Sequence, residues 1–507
     1  MRNLFLISKT VKTLFIVLAR CCRECFLRAT SGRIPPVPPS NSVFFPRRTD
    51  AVGIKAQEEL AIIFGFQGRK CYFVRDVVGK VQGEITVTPA AFFRWSDFIV
   101  GIRIWWAFAL SDQNLHQQGD TIGKMESVLR CSLLRAFRTS DLSSDERISA
   151  LCLWMCVAAQ RNFRLAEWAS QSRDAIVVCA DPGYIAEYEF CTVFTGAHKT
   201  VLLVNQGFDR KHLFIRKATG EECFEHPLHL SCSDLARCKN NLNPDQIVEK
   251  LISSYNSKGW YNYVGTVENI EPYSLEFCQL KKTLESQDND TISVFPHIFW
   301  DGTFFLGRNC FDNYQSWFEW LCAYIADDQK DRKWIIKLHP ANLGKGERSE
   351  TAKELYAIRR FGLHTKSNVF ILAYESKISA LDLLEISDAV LTIRGTIALE
   401  AALFGKTAIC AGGGRHSIPG LVIESQDAIE LRRILDERLY NDFLPDRQLA
   451  ADIFSIYFKN KSLPINDLLD EKDNIRSDFT DFLSSGQRHF LIQGQSERAH
   501  DTNTANN

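Results

Sequence analysis

"DAVLTIRGTIALEAALFGKTAIC", residues 388–410, is an apolar run that stops at Arg394-Gly395-Thr396, continues as an alanine-rich helical stretch and closes in a second apolar run. Strands covered on both faces of a parallel sheet read as such continuous runs. Strand, glycine turn, helix and strand in that order make a βαβ crossover. The same grammar extends outward through "ISVFPHIFWDG" (292–302), "KWIIKLHPAN" (333–342) and "NVFILAYES" (368–376). An earlier series holds "CYFV" (71–74), "DAIVVCADPGY" (174–184) and "KTVLLVNQGFDRK" (199–211), with a strand-free helical region at 120–172 between them. Two such series predict an α/β protein of two Rossmann-like domains, with parallel sheets facing an interdomain cleft. Ligands of such sheets sit beyond the C-terminal strand ends.

The 507 residues exceed one compact core and suit two or three domains. The division expected is a basic apolar leader and Pro-rich linker at 1–50 and an acceptor domain at 51–283. A nucleotide-sugar domain at 284–435, C-terminal helices at 436–485 and a disordered tail at 486–507 follow. Lys plus Arg number 60 against 61 Asp plus Glu, so no global basic field exists to collect nucleic acid, and none is expected as a partner. The 16 cysteines are scattered through apolar runs with no paired CxxC, which reads as buried thiols in a reducing compartment rather than a metal site. Through Arg48 the leader carries nine basic residues against Glu24 alone. Residues 1–33 fit an interfacial helix on an anionic cytoplasmic leaflet. A terminal helix packed on the body, or a start site assigned too early, fits as well.

The chemistry is expected at strand ends. His339 stands where one strand hands over to its loop, and its imidazole can donate to a phosphate or act as a general acid. Pro340 restrains the peptide that positions it. At 394–400, the amides of the turn at Gly395, the Thr396 hydroxyl and the positive helix end suit a phosphate, and Glu400 lies one turn further on, within reach of a ribose hydroxyl. The alternative is a tight turn that needs glycine for close packing, with Glu400 facing solvent. The triplet Asp288-Asn289-Asp290 lies in a polar linker and reads as a chance match to a metal-binding DxD.

These stretches together resemble glycosyltransferases of the GT-B fold, and most closely the capsule polysaccharide biosynthesis family. The resemblance rests on "FWDGTFF" (299–305), "KLHPA" (337–341), residues 388–406 and "GGGRHSIPG" (412–420), with "DPGY" (181–184) and "NQGFDR" (205–210) in the first half. It implies transfer of a sugar, Kdo or a related ulosonic acid from a CMP-sugar, onto a capsule or surface polysaccharide or a lipid-linked glycolipid acceptor. The place implied is the cytoplasm, at the inner face of the cytoplasmic membrane. It also implies donor contacts from His339-Pro340 and Gln206-Gly207, with no tightly bound cofactor and no metal. Such a transfer needs a base for the acceptor hydroxyl and donors for the departing phosphate. Asp181 is the candidate base, unless it only caps the Pro182-Gly183 turn, and Asp301 is its rival. Arg394 and Arg415 are candidate phosphate clamps, or else members of surface ion pairs. A UDP-sugar enzyme such as a UDP-N-acetylglucosamine 2-epimerase, or a non-catalytic component of polysaccharide export, are the other readings.

Overall fold

The computed structural model describes residues 2–30, 37–46, 57, 60–61, 64, 69–74, 85–110, 121–206, 213–218, 220–224, 230, 243–256, 274–285, 289–302, 307–329, 332–339 and 350–459. Six strands form the first sheet: β1 (Ser42–Phe45), β2 (Lys70–Val74), β3 (Ile85–Val87), β4 (Ile176–Cys179), β5 (Thr200–Gln206) and β6 (Leu213–Ala218). They lie in the order β3-β2-β1-β4-β5-β6, parallel except for β6 against β5. The second sheet comprises β7 (Thr291–Phe295), β8 (Lys333–Lys337), β9 (Val369–Leu372), β10 (Ala389–Thr392), β11 (Thr407–Cys410) and β12 (Ile423–Glu424). Its order, β12-β11-β10-β7-β8-β9, is parallel throughout. Counted from its own first strand, each sheet reads 3-2-1-4-5-6, the Rossmann order. The expected α/β architecture of two Rossmann-like halves, the GT-B type, is therefore present in the connectivity itself.

The helices that matter for the site are α1 (Arg2–Thr30), α2 (Trp95–Leu110), α3 (Thr121–Phe137), α4 (Ala150–Ser170) and α5 (Tyr188–Gly196) in the first half. In the second half they are α6 (Leu275–Glu285), α7 (Tyr314–Asp327), α8 (Glu350–Arg360), α9 (Ile397–Leu403), α10 (Ala428–Asp436) and α11 (Arg447–Lys459). The helix α4 opens on Ser149, whose hydroxyl accepts from the Cys152 amide at 3.2 Å. It meets α2 closely at Gly101, where a Cβ would come within 2.6 Å of Val157 Cγ2.

One stretch behaves differently from its sequence reading. "SVFF", placed in a proline-rich linker, is the central strand β1, fully buried, with Phe44 stacked on Tyr72 at 5.1 Å and Phe45 on Phe73 at 4.8 Å. Proline and asparagine flanks bound a short buried strand as readily as they build a linker. The tail beyond 459 lies outside the described residues. Asp290 of the DxD-like triplet binds Arg438 and the Tyr440 hydroxyl, each at 3.0 Å, and so ties β7 to the segment after α10.

Lys337 ends β8 inside the second half, and burial pushes its amine down to about 8 despite Glu276 and Asp382 nearby. A lysine lowered in the folded state costs stability at neutral pH, and that cost is relieved as pH rises from the folded value toward the ordinary 10.5. Lys337→Met is therefore expected to raise unfolding stability at pH 7 by about 2–3 kcal/mol. The gain should shrink above pH 8 and disappear near 10.5, and denaturant titration across that range measures it.

Candidate functional site

The topology fixes where the chemistry can gather. In each sheet the chain reverses direction of growth between its first and fourth strands, and the crevice beyond that switch point is where such sheets take ligands. The first switch point lies between β1 and β4, and β4 runs directly into Asp181. The second lies between β7 and β10, whose continuations carry His297–Asp301 and Arg394–Thr396. In the second sheet Ile336 pairs with Val294, and Val294 with Leu391. Three residues beyond each of these stand His339, His297 and Arg394, so adjacent parallel strands deliver the three side chains at the same step. With strands ~4.8 Å apart, the chains carrying His339 and Arg394 are separated by roughly 10 Å at their ends.

One guanidinium joins the two switch points. Arg135, from the last turn of α3, binds Asp181 through Nη1 at 3.2 Å and Asp301 through Nη2 at 2.6 Å. Its Cζ lies 3.6 Å from the centre of the Tyr184 ring. The Tyr184 hydroxyl donates to Asp301 at 3.0 Å and accepts from the Gly302 amide at 3.1 Å. Burial pushes the Tyr184 phenol well up, and the carboxylates of Asp301 and Asp181 add to it. Burial pushes the Asp301 carboxyl up as well, but Arg135, with His297 adding to it, outweighs burial and holds the carboxyl below its usual range. Burial lowers His297, and Arg394 and Arg415 reinforce that against the opposing pull of Asp301. Beside the cluster Trp300 packs into the apolar group formed by α1, α2, α3 and α4, an apolar anchor between the halves. Lys353 of α8 adds a polar one, donating to Ser140 Oγ at 2.6 Å.

Other sequence candidates are placed as follows. The Asp181 turn is closed by its backbone carbonyl, which accepts from the Tyr184 amide at 3.3 Å, while the carboxylate goes to Arg135. The Gly395 amide donates to Thr392 Oγ1 at 3.2 Å, and a Cβ there would approach that oxygen to 2.8 Å. Glycine is thus required by packing, and that amide is already committed. Thr396 precedes α9 without a side-chain cap bond. Glu400 is only 1% exposed, which corrects the solvent-facing alternative. Arg394 is built into the second half rather than a surface ion pair: it donates to Asn309 Oδ1 and, at 3.3 Å, to the Tyr314 hydroxyl, while its Nε is buried without a partner. Arg415 Nε donates to the neighbouring His416 ring at 2.7 Å. His339 is half-buried at the end of β8. Gly207 and Pro340 lie outside the described residues, as does the Gln206 side chain. Among the described residues no group of three or more His, Cys, Asp or Glu side chains is arranged to hold a metal ion.

A cavity of about 460 Å³ opens behind Asp181, Arg135 and Tyr184 within the first half, and α1 and α4 contribute Arg20, Trp154 and Arg161 to its wall. The Arg20 guanidinium stacks 4.2 Å from the Trp154 ring centre, and Arg161 pairs with Glu24 of α1 at 2.8 Å.

With that geometry in place, residues 226–454 match the family model described as capsule polysaccharide biosynthesis protein. The matched segment is a little under half of the chain. It spans the whole second sheet, with β7 to β12 and most of α11. No curated protein matches the chain by sequence. Among solved structures the chain is similar to a Thermosulfurimonas dismutans KpsC, beta Kdo 2,4 transferase, at 14% identity over 55% of this chain and 78% of that one, TM-score 0.30. It is similar also to Anabaena HepE in complex with UDP-glucose, at 14% identity over 84% and 97%, TM-score 0.30. A glycosyltransferase from Rickettsia africae is 11% identical over 89% and 100%, TM-score 0.31. The fold assignment rests on the strand order of the two sheets rather than on these likenesses.

Arg135→Met would leave Asp181 and Asp301 facing each other without their shared cation. Because 42% of the Arg135 side chain is exposed, solvent screens the pair, and the expected loss at pH 7 is about 1 kcal/mol. Asp301 is held down in the folded state, so its stabilisation is complete above the ordinary value of 3.8 and is lost as pH falls through the folded value. The difference between the two proteins should therefore vanish in acid, a trend that thermal denaturation from pH 7 to pH 3 records.

Proposed function

We propose that this protein is a nucleotide-sugar-dependent glycosyltransferase of capsule or surface polysaccharide assembly, moving Kdo or a related ulosonic acid from a CMP-sugar onto a polysaccharide or lipid-linked acceptor. The observation that carries the reading is the pair of carboxylates, Asp181 and Asp301, brought from facing switch points onto one arginine at the edge of a capsule-synthesis domain. The donor nucleotide lies over the second sheet, its phosphate between His339, His297 and the Arg394–Thr396 turn. The acceptor takes the cavity behind Asp181.

In the transfer the acceptor oxygen forms a bond to the anomeric carbon while the bond from that carbon to the phosphate oxygen breaks. The hydroxyl proton passes to Asp181, and the electron pair of the broken bond leaves with the nucleotide. Asp301, whose charge is stabilised by Arg135 and whose oxygen accepts from Tyr184, holds Arg135 in place. His339 donates to the leaving phosphate, and Arg394 adds fixed positive charge. A lipid-linked acceptor would place the enzyme at the inner face of the cytoplasmic membrane.

The test is turnover of CMP-Kdo by the purified protein, with UDP-sugars in parallel. Wild type is expected to transfer or hydrolyse CMP-Kdo, Asp181→Asn to slow it by about 10²–10³-fold, and His339→Ala by about 10²-fold. Undiminished rates in both variants would remove the proposed roles. Turnover of UDP-sugars alone would overturn the donor assignment.

A further inference from the structure

The helix α1 has two apolar faces. The inner one packs on the body through Val17 and Cys21, is fastened by the Thr13 hydroxyl on the Ile148 carbonyl at 2.9 Å, and presents Glu24 to Arg161. The outer one carries Val11, Phe15, Leu18, Cys22 and Phe26, spaced i, i+4, i+7, i+11 and i+15, one stripe along a helix. Phe15 is 68% and Phe26 67% exposed. Helix α2 repeats the pattern, with Trp95, Ile99 and Trp106 turned outward while Trp105 and Phe108 are buried. The end of α1 lies beside the start of α2: Arg28 Nη1 donates to the Phe93 carbonyl at 2.7 Å, and the Phe93 ring packs edge-on to Trp95 at 5.9 Å. Isolated surface apolar residues are ordinary, but here most of the exposed large apolar side chains among the described residues fall on two neighbouring helices.

Charge selects the occupant. Lys12 and Arg23 are exposed on α1, and Arg94 and Arg103 on or beside α2. The single acid of α1, Glu24, faces inward. A second copy docked through this face would set cations against cations, whereas an anionic leaflet complements them. Helix α1 carries six basic residues, too many for a helix that crosses a bilayer.

We propose that the outward faces of α1 and α2 form one docking surface for an anionic lipid bilayer, with Phe15, Phe26, Trp95, Ile99 and Trp106 entering the headgroup boundary. This deepens the membrane-linked acceptor reading, because the opposite side of α1 supplies Arg20 to the cavity beside Asp181. Docking would hold that cavity against the surface from which a lipid-linked acceptor arrives.

The experiment is co-sedimentation of the full chain, without donor or acceptor, with phosphatidylcholine vesicles and with vesicles containing about one-third phosphatidylglycerol. The expected result is binding to the anionic vesicles at least about tenfold stronger than to the neutral ones, weakening with salt. Phe15→Glu with Phe26→Glu should lose about tenfold of that binding with circular dichroism unchanged, and Leu444→Glu, at an exposed site far along the chain, should lose none. No vesicle binding, equal binding to both lipids, or a dimer that the double variant converts to monomer would overturn the proposal. Because no sugar nucleotide is present, such a failure would leave the transferase assay unaffected, and failure of that assay would leave vesicle binding intact.

Discussion

The Arg135 guanidinium is the contact on which the site depends. It reaches Asp181 beyond the first sheet and Asp301 beyond the second, stacks on Tyr184, and so fixes two switch points against each other. Two carboxylates this close would repel without a cation between them. The planar fork of arginine serves both with separate nitrogens, an arrangement a lysine point charge does not reproduce. Trp300 and Lys353 secure the halves by apolar packing and hydrogen bonding, but neither reaches the carboxylates.

The surrounding charges keep this edge cationic and disfavour the charged form of its imidazole. Burial lowers His297, and the nearby Arg394 and Arg415 add to that. Arg394 is itself oriented by Asn309 and Tyr314, which leaves its buried Nε as the unsatisfied donor of the group. A buried donor without a partner is costly in a folded protein and is tolerated where a ligand completes it. That is consistent with a phosphate taken between β7 and β10.

The first half contributes more than a second wall. Its helices α1, α3 and α4 enclose the cavity behind Asp181, and α1 shows the body one face and solvent the other. Ordinary surface helices present charge outward and apolar residues inward. An apolar stripe on the outside, bordered by cations, is a departure from that rule, and the basic character of this leader is plain in the sequence.

The sequence by itself determined the second sheet. Its strands are continuous apolar runs punctuated by glycine and proline, and short-range pattern suffices to recognise βαβ units, to place His339 and Arg394 at strand ends and to connect them with a capsule-synthesis resemblance. It did not determine the role of "SVFF", because four residues between prolines carry no periodicity that separates strand from linker. Nor did it point to Arg135, an arginine on a helix with no motif around it, or to His297, which ends a strand just as His339 does. Only the tertiary structure decided that one helix should carry its cation to two distant carboxylates, that Gly395 answers to the Thr392 side chain, and that Glu400 turns inward. The first of those outcomes depends on side chains 46 and 166 residues apart in the chain meeting at one point, and local propensity holds no information about such distances.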